Sequence, residues 1–119
     1  MIKHDLNKFP KAIWIHFYKD GMKLMEKDDT VKAIETPQMP YHYPRMVLAD
    51  FERASATLKA LMKHHSQGFY FLKITPPIAI VQIMEPIPHG LASIEIRAFT
   101  ELFLDAGVRE VKLYDQNGN

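Results

Sequence analysis

The sequence predicts an α/β domain built on a mixed five-stranded sheet, and three observations predict it. Three short β-prone runs separated by tight polar turns occupy residues 12–35. Two later stretches, near 50–65 and 91–106, carry apolar residues at helical spacing. Between them, Ile78-Ala79-Ile80-Val81-Gln82-Ile83-Met84 is almost continuously apolar, as expected of a strand buried on both faces inside a parallel sheet. An antiparallel meander followed by two helical crossovers gives the order β-β-β-α-β-α-β, with the helices packed on the sheet.

Each element has its own justification. Residues 1–10 read as a polar leader closed by Pro10. Ala12 to Tyr18 is dense in β-branched and aromatic residues and reads as a strand. Lys19-Asp20-Gly21 is a hairpin signal, because glycine accepts positive φ without steric cost. Met22 to Glu26 returns, Lys27-Asp28-Asp29 turns again, and Thr30 to Glu35 is a third strand. Pro37, Pro40 and Pro44 make the next segment a loop, since proline neither donates to a ladder nor continues a helix. Asp50 is placed to cap a helix whose stripe is Phe51, Ala54, Leu58, Leu61 and Met62, ending near 65–68. Residues 69–74 read as a short extended piece. A second helix spans about 91–106, with Ile94, Ala98, Leu102 and Ala106 as its stripe, widened by Phe99 and Phe103. Gly107 stands where a helix-ending glycine is expected. Val108 to Tyr114 is the last strand, and a polar tail follows. Trp14, Leu58, Leu61, Ile80, Leu102 and Phe103 are the expected core.

Composition narrows the function classes. The chain has 119 residues, one domain by size, with 47% hydrophobic and 24% charged residues. Fifteen Lys and Arg against fourteen Asp and Glu leave a net charge of +1, which gives no electrostatic footprint for nucleic acid. With no cysteine there is no disulfide framework, thiolate nucleophile or thiolate zinc site. No apolar run approaches the roughly 20 residues of a membrane helix, and the first ten residues do not read as a secretory signal. The cytoplasm is the expected location.

Residues able to carry chemistry are scattered. Of six histidines, His4, His16, His42 and His89 are isolated, and His64 and His65 diverge by about 100° around a helix. No metal site is expected from them. Asp28 with Asp29, and Asp50 with Glu52, are explained by a turn and a helix start. Ser55, Ser66 and Ser93 belong to no nucleophile elbow, and no Walker or dinucleotide glycine motif occurs. Tyr41 and Tyr43, on the stiff proline loop, are candidate contact residues, because rigid aromatics bind at low entropic cost.

Three pieces, Tyr43–Phe51, Ile78–Ile83, and Ile94–Phe99 with Ala106–Leu113, resemble the actin-like ATPases, and within them the first subdomain of the MreB family of rod shape-determining proteins. Tyr43-Pro44-Arg45-Met46-Val47-Leu48-Ala49-Asp50-Phe51 is similar to the family's stretch ending in "IADF" before a helix. Ile78-Ala79-Ile80-Val81-Gln82-Ile83 stands where the family has an apolar strand. Ile94-Glu95-Ile96-Arg97-Ala98-Phe99 followed by Ala106-Gly107-Val108-Arg109-Glu110-Val111-Lys112-Leu113 is similar to its "RRAIRE…GAGAREVFLI" segment. The likeness is clearest over 43–114 and weaker over 11–37.

The resemblance implies a ribonuclease H-like fold. It also implies a nucleotide site near the first hairpin and the end of the last strand, where Asp20 and Asp115 are the nearest acids. The sequence departs from the family there: no Gly-Thr follows Asp20, and the chain continues only to Asn119. The expectation is therefore a non-catalytic MreB-like domain without a cofactor, acting through protein contacts and linked to cell shape or the cytoskeleton. The alternative is a small nucleotide-binding regulator or enzyme retaining part of the phosphate site. Ile94, Ile96, Ala98, Phe99, Leu102, Phe103 and Leu104 make the second helix apolar nearly all round. A homodimer is expected to cover what one sheet cannot, with Phe99 and Phe103 as contact residues beside Tyr41 and Tyr43.

Overall fold

The computed structural model describes residues 2–41, 48, 50–64, 76–86 and 90–119. Five strands, β1 (Ile13–Tyr18), β2 (Gly21–Met25), β3 (Val31–Glu35), β4 (Ile78–Ile83) and β5 (Glu110–Tyr114), form one sheet in the order β3-β2-β1-β4-β5. Among the described residues the helices are α1 (Ile2–Lys8), α2 (Phe51–Met62) and α3 (Ser93–Asp105). β1 to β3 pair antiparallel, whereas β4 lies parallel to both β1 and β5. The mixed five-stranded α/β architecture read from the sequence is therefore present.

Alternation along the strands divides the core in two. Ile13, Ile15 and Phe17 of β1 face the same side as Met22, Leu24, Ala79, Val81 and Ile83. That side is covered by α2, through Ala54, Leu58, Leu61 and Met62, and by α3, through Phe99, Leu102 and Phe103. Trp14, Ile78 and Ile80 face the other side, with Ile2 and Ala12. All six expected core residues are buried, but Trp14 and Ile80 belong to the second cluster. β4 lies between β1 and β5 and is buried along its whole length, as its unbroken apolar run requires.

The helices are set by local chemistry. Asp50 caps α2, its carboxylate accepting the Arg53 amide at 2.9 Å. At the start of α3 the Glu95 carboxylate accepts the Ala92 amide at 3.2 Å, and Gly107 at φ 108° turns the chain toward β5. Two stripe positions are corrected. Phe51 and Ile94 both lie at helix starts beyond the reach of the sheet, and both are exposed.

Two further readings change. Residues Ile2–Lys8 are a helix rather than a polar leader, because Ile2 and Leu6, one turn apart, pack onto the Trp14 and Ile80 side. Ile2 also donates its amide to the Gly118 carbonyl at 3.0 Å, so the two ends of the described chain meet. In the first hairpin Gly21 pairs with Tyr18, and positive φ is found in the next turn instead, at Asp29 (70°). Gly21 is needed for close approach: a Cβ there would lie 2.7 Å from the Glu35 carbonyl oxygen. The expected extended piece at 69–74 lies outside the described residues.

Candidate functional site

Because β1, β4 and β5 run parallel, their carboxyl ends share one edge of the sheet, where open α/β sheets place ligands. The β1–β2 turn brings Asp20 to that edge, and Asp115 follows β5 two strand spacings from β1, about 10 Å. A cavity of about 610 Å³ opens there, lined by Glu85, Leu91, Ile96, Tyr114, Asp115 and Asn117, but not by Asp20. Asp115 is already engaged. Its Oδ1 accepts the amides of Asn117 and Asn119, each at 2.9 Å, and folds the tail into a turn. Glu85, which the sequence reading did not single out, accepts the Lys19 amide at 3.0 Å.

The candidate contact residues are placed differently from expectation. Tyr41, Phe99 and Phe103 are wholly buried, so each is a core residue and none is open to a partner. Phe17 lies among their rings, at 4.9 Å from Phe99, 5.3 Å from Tyr41 and 6.5 Å from Phe103. The Tyr41 hydroxyl sits between the carbonyl oxygens of Tyr18 and Gly21, the latter at 2.9 Å, and locks the loop onto the first hairpin. Burial pushes its phenol well above the ordinary value; hydrogen bonding to Gly21 opposes this, and the charges of Asp20 and Glu85 add to it. Tyr43 lies outside the described residues.

The second face of the sheet holds a group that sequence reasoning missed. Register aligns Ile34, Lys23, His16, Gln82 and Tyr114 in one row across the five strands. Gln82, next to His16 in the row, is buried. Its Oε1 accepts the Trp14 indole N–H at 3.3 Å, and its Nε2 donates to the Gln116 carbonyl at 2.9 Å. The His16 ring meets Trp14 edge-on at 5.1 Å, and its buried Nε2 has no hydrogen-bond partner among the described residues. Burial lowers the His16 pKa and Lys23 lowers it further, against Gln82 hydrogen bonding and the Asp29 charge. Beside this row, where α1 meets the sheet, lies a cavity of about 650 Å³ with Ile2, Leu6, Trp14, His16, Lys27 and Asp29 in its wall. One signal was available: His16 and Gln82 are polar positions inside two otherwise apolar central strands.

Among the described residues no group of three His, Asp or Glu side chains is arranged to hold a metal ion. His4 is exposed on α1, and His64 pairs with Glu35 at 3.1 Å. His42, His65 and His89 lie outside the described residues. No described helix is long and apolar enough to cross a membrane. No family model matches the chain, and no curated protein matches it significantly.

Proposed function

We propose that this chain is a non-catalytic domain of ribonuclease H-like, MreB-related build that acts through protein contacts, the first of them with a second copy of itself. The succession of three antiparallel strands and two helix-linked parallel strands supports the fold assignment. The likeness over 43–114 ties the reading to bacterial cell shape and the cytoskeleton.

One observation carries the self-contact. The outer side of α3 presents Ile94, Arg97, Glu101 and Leu104, within an arc of about 80° at helical spacing. Ile94 is 75% exposed and Leu104 44%, and Arg97 and Glu101 bridge at 3.1 Å between them. The stripe reads the same under a two-fold axis. In an antiparallel pair of α3 helices, Ile94 meets the partner's Leu104 and Arg97 meets the partner's Glu101. The 3-4-3 spacing is that of a coiled-coil seam, and a self-complementary patch closes as a dimer. Within one chain the bridge runs from Arg to Glu, the weaker orientation on a helix, so exchange across the axis gives up little.

Sedimentation equilibrium tests this. The native chain should give about twice its 13.8 kDa mass at micromolar concentration. Arg97→Glu should shift it to the monomer by setting like charges opposite, and Arg97→Glu with Glu101→Arg should restore the dimer. A native chain that stays monomeric at all concentrations rejects the reading.

A further inference from the structure

The cavity between α1 and the sheet has features that the dimer reading does not use. Its volume, about 650 Å³, falls within the range of small-molecule sites. One wall is apolar, formed by Trp14, Ile2 and Leu6. The rim is cationic, with Lys3 and Lys27 against the single carboxylate of Asp29. Lys27 is the informative member. Burial lowers its pKa, its ammonium donates to the Phe9 carbonyl at 3.2 Å, and no carboxylate pairs with it among the described residues. The ammonium stands on the exposed rim, where an incoming anion can pair with it without displacing a carboxylate among the described residues.

We propose that this cavity binds a small aromatic carboxylate. Its ring lies along Trp14 and Leu6, and its carboxylate takes a charge-assisted hydrogen bond from Lys27. The aromatic body follows from the indole wall, which favours offset or edge-on ring contacts. A single carboxylate follows from the rim, where two lysines face one aspartate; a second anionic group would meet Asp29. No bond is made or broken, and the proposal is independent of the α3 contact.

Trp14 is the only tryptophan in the chain and lines the cavity, so its fluorescence reports occupancy. The probes are benzoate and its uncharged isostere benzamide, with N-acetyltryptophanamide titrated in parallel to correct for inner-filter absorption. Benzoate should change Trp14 emission saturably by the low millimolar range and raise the melting temperature. Benzamide should bind at least about tenfold more weakly, the loss of one charge-assisted contact. Lys27→Met, on an exposed turn and keeping an apolar stem, should leave the melting temperature of the free protein unchanged and erase the preference for benzoate. No saturable change with benzoate overturns the site. Equal binding of the two probes, or an undiminished preference in Lys27→Met, overturns the carboxylate assignment.

Discussion

The two faces of the sheet are built from the same strands and do different work. On the α2 and α3 side, every inward position from β1, β2 and β4 is apolar and fully or almost fully buried. On the α1 side the same strands present Trp14, His16, Lys23 and Gln82, and only a seven-residue helix and the tail turn lie over them among the described residues. The first face gains from burial, roughly in proportion to apolar area removed from water. The second keeps polar groups that must be individually satisfied, and the His16 Nε2 has no partner among the described residues. Stability concentrates on one face, leaving the other free to carry a cavity.

The sharpest break in that comparison is on the packed face. Phe17→Ala removes the ring that touches Tyr41, Phe99 and Phe103 at once. It should cost about 3–5 kcal/mol, as expected of a buried Phe-to-Ala cavity. Urea denaturation followed by far-UV circular dichroism measures this. A loss under about 1 kcal/mol would mean that the aromatic cluster is loosely packed and the two faces are energetically alike.

The α1 face should respond less and more locally. Gly118 has φ 84°, and a Cβ there would lie 2.6 Å from Ile2 Cγ2. Gly118→Ala therefore strains the backbone and pushes against α1. The expected cost is about 1 kcal/mol, because the tail and α1 can undock while the sheet stays intact. Hydrogen exchange is the direct readout: the Ile2 amide, bonded to the Gly118 carbonyl, should lose protection while amides of β4 keep theirs. If β4 amides lost protection equally, α1 would belong to the same cooperative unit as the main core.

The sequence was legible where periodicity is long enough to speak. α2 and β4 could be read because twelve residues of helical period and a six-residue apolar run leave few alternatives. α1 could not: only Ile2 and Leu6 mark its inner side, and its docking depends on Trp14 and Ile80. In α3, an apolar pattern nearly all round shows that much is buried without showing which arc meets the sheet. Phe99 and Phe103 thus read both as part of the buried stripe and as contact residues, and they are wholly buried within the chain, while Ile94 reads as part of the stripe and lies in solvent. Tyr41 looks like a surface aromatic on a proline loop; the Tyr18 and Gly21 carbonyls of the first hairpin draw its hydroxyl inward. The candidate cavity was illegible for a different reason. His16 and Gln82 are far apart in sequence and meet only through the parallel pairing of β1 with β4.

The smallest expected effect tests whether His16 belongs to a half-polar face or a packed one. Burial lowers its pKa from 6.5, Lys23 lowers it further, and Gln82 and Asp29 act in the opposite direction. In the unfolded chain the imidazole returns to about 6.5. Between the depressed folded value and 6.5 the unfolded state binds more protons, so acidification favours unfolding. Stability from this group is complete above 6.5, falls as the pH drops through 6.5, and levels off below the folded value. Asp28, held low by its hydrogen bonds with Thr30, acts only at more acid pH and does not overlap this window. The urea midpoint should therefore fall modestly between about pH 7.5 and about pH 5.5, and His16→Gln should flatten that change. Asp29→Asn should deepen it, because removing a nearby negative charge depresses the imidazole further. A His16→Gln variant with the native pH slope would show that the ring is solvated in the folded state and that the α1 face buries far less than the packed one in every respect.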